Sequence, residues 1–97
     1  MKESYPDFNG KVLSITIKDD TINRDLVNPY FENQAGRIFI IGTVPKGATE
    51  SDWVEGCQSS IAWDRITDYF VFDSLEAYSK AIKTSEDYHK DDEEEKK

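Results

Sequence analysis

The stretch RIFIIGTV, residues 37–44, constrains the fold more than any other part of the chain. In an extended chain Ile38 and Ile40 fall on one face and Phe39 and Ile41 on the other. A strand apolar on both faces belongs inside a sheet, with a layer packed against each side. Pro45-Lys46-Gly47 stops it. The run YFVF at residues 69–72 has the same character, with Tyr69 and Val71 opposite Phe70 and Phe72. That second strand is internal, or it is an edge strand with one face under a helix.

A helix follows at once. Asp73 or Ser74 caps it, with Glu76 completing a capping box from Asp73. Leu75, Tyr78 and Ile82 then recur on one face with Ala77 and Ala81 beside them, which predicts a helix from residue 75 to about 83, with an extra turn through Tyr88 left open. The aromatic-rich stretch 61–78, with Trp63, therefore reads as core where strand and helix meet.

Further strands are legible earlier. Leu13, Ile15 and Ile17 alternate with Ser14, Thr16 and Lys18, the pattern of a strand with one wet face. SSIAW, residues 59–63, is another candidate. Between residues 20 and 36 the pattern is weak: Pro29 forbids a long helix, and Tyr30 and Phe31 enter a short strand closed by Ala35-Gly36. Thr49 as N-cap, Asp52 three residues on and Gly56 at the end predict a short helical turn. No βαβ spacing is present. The expected fold is α+β: a small curved, mainly antiparallel sheet of four to five strands, of which an SH3-like partial barrel is one form, with one C-terminal helix.

Ninety-seven residues make one small domain. Twenty acidic against 12 basic side chains give a formal net charge of -8. Such a chain repels phosphate backbones and anionic lipid, which argues against nucleic-acid and membrane partners. Seven of the acids and three lysines lie after residue 85. Residues 1–85 are thus expected to form a single globular domain and 86–97 an acidic, disordered tail. The one cysteine, Cys57, forms no internal disulfide and reads as a buried or half-buried structural thiol. With no apolar segment at the N-terminus, a cytoplasmic location is expected.

No motif implies a catalytic residue, a cofactor or a metal. His89, the only histidine, sits in the charged tail without a partner for acid–base work. Ser59-Ser60 lacks the surround of a nucleophile elbow. Glu50, Asp52 and Glu55 lack the alternation of an EF-hand and read as first-turn acids. Asp64 and Asp68 read as solvent-exposed acids. Trp53, framed by acids, is either an exposed interface anchor or the apolar contact of its own turn.

In size and acidity the chain is similar to immunity proteins and other small bacterial inhibitors, with no motif behind the likeness. The expected function is a non-enzymatic protein-binding domain, a small acidic inhibitor or immunity-type protein that neutralises a basic partner such as a toxin. Glu50, Asp52, Trp53, Glu55, Asp64 and Asp68 are the expected partner-binding residues. The alternatives are a structural or adaptor subunit that forms a homodimer through its sheet edge, and an enzyme that binds a small ligand in the curve of its sheet.

Overall fold

A computed structural model of the chain describes residues 5–20, 23–49 and 51–95, with the backbone alone for 87–95. The element order is β1 (Val12–Ile17), β2 (Arg24–Gln34), β3 (Arg37–Thr43), β4 (Gln58–Ala62), a 3₁₀ turn (Trp63–Arg65), β5 (Ile66–Phe72) and α1 (Leu75–Glu95). The strands form one antiparallel sheet in the order β4-β3-β2-β1-β5, with α1 after it. This is the small α+β fold expected.

The order of the strands dictates the curvature of the sheet. β4 and β5 lie at opposite edges, yet only Trp63–Arg65 separates them in sequence. Flat, a sheet of five strands would hold its outer strands about 19 Å apart. Four steps of chain reach about 14 Å fully extended, and about 8 Å in 3₁₀ geometry. The sheet therefore curls until its edges approach, without pairing to close a full barrel.

Part of the bend is built at one place. The β2–β3 register shifts between Val27 and Tyr30, so that Asn28 and Pro29 bulge from the ladder. Asn28 takes a positive φ of 53°, which its short amide side chain tolerates, and its Oδ1 accepts from the Gly10 N–H at 2.8 Å. Pro29 has no N–H to leave unpaired there. Gly42 faces this bulge from β3: a Cβ on it would lie 2.8 Å from the Leu26 Cβ and 3.0 Å from the Val27 carbonyl oxygen. Only a residue without a side chain lets the two strands pack this closely.

Curling divides the apolar residues between two cores. On the inner face Phe8, Leu13, Ile15, Leu26, Ile40 and Ile61 form one buried cluster. Phe31, Trp63 and Tyr69 line its end; the Phe31 and Trp63 rings meet edge to face at 4.9 Å, and Phe8 meets Tyr69 at 5.4 Å. The outer face carries the alternate residues. Val12, Ile41 and Tyr78 are fully buried outside that cluster, and the Phe72 ring stands edge-on to Tyr78 at 5.4 Å. β3 is apolar on both faces because it serves both cores.

Several sequence expectations give way here. β5 is an edge strand only partly covered by α1, so Phe70 is 64% exposed and Val71 and Leu75 are exposed too. Ser74 caps the helix alone, its Oγ accepting from the Ala77 N–H at 3.0 Å, while Asp73 pairs with Lys11 at 3.2 Å. α1 continues past residue 83, where its apolar stripe ends, to Glu95, since no glycine or proline interrupts the acidic sequence that follows. The described residues 51–56 form successive turns instead of a helical one, because Asp52 adopts a left-handed φ of 53°. β2 spans the whole of Arg24–Gln34, well beyond Tyr30 and Phe31.

Two stability experiments check this arrangement. Gly42→Ala is expected to cost about 1–3 kcal/mol by overpacking, lowering Tm by roughly 10 °C in a domain this small. In denaturant melts, Phe72→Ala should cost about 2–3 kcal/mol and Phe70→Ala less than about 1 kcal/mol. The reverse order would put α1 over Phe70.

Candidate functional site

Fourteen residues, 44–57, lie between β3 and β4, and the described ones have no regular structure. Irregular loops this long in a small domain are usually functional. The base is pinned by two backbone bonds, Val44 N–H to the Cys57 carbonyl and Gly56 N–H to the Val44 carbonyl, both 2.9 Å. Inside the loop the Asp52 Oδ1 accepts from the Gly47 N–H at 2.7 Å. Gly47, Asp52 and Gly56 all take positive φ, which turns the chain repeatedly. At Gly47 the loop lies against α1: a Cβ there would come 3.3 Å from the Ile82 Cγ2.

A cleft of about 610 Å³ opens between this loop and the starts of β2 and β4. Val44, Ala48, Val54 and the Trp53 side chain provide apolar wall, and Asp25, Thr49 and Ser59 provide polar groups. Its size and its mixture of apolar wall and few polar groups are those of a ligand site. Trp53 is 78% exposed at the cleft and does not pack back on its turn. Cys57, expected to be buried or half-buried, is exposed and lines the same cleft; the turns before it leave it at the loop's surface end.

Asp25 ties the cleft to the fold. The Tyr78 hydroxyl donates to the Asp25 Oδ2 at 2.5 Å, joining α1 to β2. Burial raises the Tyr78 phenol far above its ordinary range, and the hydrogen bond to Asp25 and the charges of Asp25 and Asp52 raise it further. Among the described residues, the other carboxylate oxygen, Asp25 Oδ1, is buried without a hydrogen-bond partner, and so is the Thr49 Oγ1. The cationic side chain at the cleft, Arg24, is paired with Asp20 at 3.5 Å.

The expected binding residues divide between two places. Glu50 lies outside the described residues. Asp52, Trp53 and Glu55 share the 44–57 loop, although one Asp52 oxygen is engaged by Gly47. Asp64 sits on the 3₁₀ turn at the far end of β4, exposed and paired with Arg37 at 3.0 Å. Asp68 is exposed on β5 opposite Thr16, where it accepts from the Thr67 hydroxyl at 3.0 Å. The five residues of β4, about 17 Å of chain, separate the loop from the 3₁₀ turn that carries Asp64. Asp25, Thr49 and Tyr78 were not among the expected site residues. A signal existed for Tyr78, since a tyrosine on a buried helix stripe needs a partner for its hydroxyl.

Among the described residues no group of three His, Cys, Asp or Glu side chains comes together to hold a metal ion. No described helix is long and apolar enough to cross a membrane. The chain matches no protein-family model, no curated protein and no solved structure.

The Tyr78–Asp25 bond has a pH signature. Folded Tyr78 holds its proton to higher pH than the unfolded chain, so its contribution is complete below about pH 10. Above that pH the contribution falls by about 1.4 kcal/mol per unit until the folded phenol ionises. Tyr78→Phe is expected to cost about 1–3 kcal/mol at neutral pH by leaving the Asp25 Oδ2 without its donor. Denaturant melts of both proteins from neutral pH to beyond pH 10 should show the gap narrowing as the pH rises. A constant gap would mean that the phenol is not held as described.

Proposed function

We propose that the chain is a non-enzymatic protein-binding domain, a small acidic inhibitor of the immunity type, that takes a basic protein partner such as a toxin on its 44–57 loop. The observation that carries this reading is Trp53, 78% exposed beside a cleft whose polar groups include Asp25. A large aromatic ring left in water next to a cleft is what binding anchors look like before their partner arrives. The net charge of -8 speeds encounter with a basic surface and disfavours nucleic acid. An exposed thiol at Cys57 suits a reducing, cytoplasmic compartment.

A second reading has its own observation. Phe70, Val71 and Leu75 are exposed at and beside the edge strand β5, and a second copy of the chain would cover them. Sedimentation over a range of concentrations would reveal such a homodimer, and Phe70→Asp should abolish it.

The binding reading is tested with a partner recovered on immobilised protein. Trp53→Ala should weaken its affinity about thirtyfold or more. Raising salt from about 0.05 to 0.5 M should slow association by about tenfold or more while dissociation changes little. A partner of acidic surface, or one indifferent to Trp53, would overturn the reading.

A further inference from the structure

We infer that the cleft receives the ammonium group of a lysine side chain, with Asp25 as its counter-charge; this rests on the proposed binding of a basic protein and names what that partner inserts. Three observations converge. The Asp25 Oδ1 and the Thr49 Oγ1 are both buried at the cleft and have no hydrogen-bond partner. A buried acceptor left unsatisfied is costly, so a donor arriving from outside gains what the empty cleft lacks. The charge is open as well: Arg24 is taken up by Asp20, and Asp52 adds a second carboxylate nearby.

The geometry at Asp25 selects the head group. A guanidinium binds a carboxylate best through both oxygens at once. Here the Tyr78 hydroxyl already occupies Oδ2, which leaves one oxygen. An ammonium is a point charge with three donors, suited to one carboxylate oxygen and a neighbouring hydroxyl. Both acceptors are out of contact with solvent in the empty cleft, so an ammonium reaches them only as the side chains over them shift, and it has to arrive on a long, slender stem. Four methylenes meet that need and lie against Val44, Ala48 and Val54, while the exposed Trp53 ring covers the stem or the charge.

The probe is n-butylammonium, a lysine side chain without its backbone, titrated into the isotopically labelled full chain. Saturable shifts are expected at the amides of Asp25 and Thr49 and at the Trp53 indole. Butan-1-ol, with the same stem and no charge, should leave Asp25 and Thr49 unmoved, and n-propylguanidinium should bind more weakly than the amine. Asp25→Asn keeps an amide oxygen for Tyr78 and should weaken the amine about tenfold or more. Should that variant fail to fold, Thr49→Val removes the second acceptor and is expected to weaken binding in the same sense.

Equal response to the alcohol, tighter binding of the guanidinium, or an amine affinity untouched by Asp25→Asn or Thr49→Val would overturn the assignment. The two readings fail separately. A recovered basic partner that needs Trp53 but tolerates Asp25→Asn would leave the binding function standing and remove the lysine site. Amine binding at Asp25 in a protein that captures no basic partner would do the opposite.

Discussion

Three residues, Trp63–Arg65, must carry the chain between strands that sit at opposite edges of its sheet. Most of the architecture follows from that short reach. The curl it imposes encloses the inner face, where Phe31, Trp63 and Tyr69 seal one end against Phe8. It also leaves a convex outer face too broad for one helix. Val12 and Ile41 are buried there and the Tyr78 ring of α1 meets Phe72, while Phe70 stays in solvent. The bulge at Asn28-Pro29 and the bare backbone of Gly42 are the local means by which β2 and β3 follow the bend.

Cleft and fold share a single carboxylate. One oxygen of Asp25 anchors α1 through Tyr78, and the other points to an unmet need at the cleft. A substitution at Asp25 therefore acts on stability and on binding together, and the two effects separate only where the replacement still accepts from Tyr78. Asn meets that condition and Ala does not. The helix thereby fixes how the cleft's acid is presented, although no described side chain of α1 lines the cleft.

The sheet was readable in the sequence where alternation was uninterrupted. Residues 37–44 and 69–72 declared strands, and Leu13, Ile15 and Ile17 declared a third. β2 was readable only in its second half. Its first half, Arg24–Val27, holds one apolar residue on the inner face, Leu26, and is cut off by Asn28-Pro29, which in isolation signals a turn. Asp25 was lost for the same reason, since its place on a strand face cannot be read without the strand. The loop acids misled in another way. Thr49, Asp52 and Gly56 have helix-capping spacing, but Asp52 instead takes a left-handed conformation and holds Gly47. Such a turn depends on a contact five residues back in the chain, which propensity does not encode.

The ladder between β1 and β5 pairs Val12 with Phe72. The hairpins joining β1 through β4 close over shorter separations and can form before β5 exists as a neighbour. Until residue 72 is available, one side of β1 is an open edge flanked by Val12, Leu13 and Ile15, side chains that are fully buried once folding ends. Strand edges of that kind are where nascent chains pair wrongly with one another. During synthesis the vulnerable interval therefore ends when the sequence after the 3₁₀ turn emerges, and any change that delays β5 from docking prolongs it.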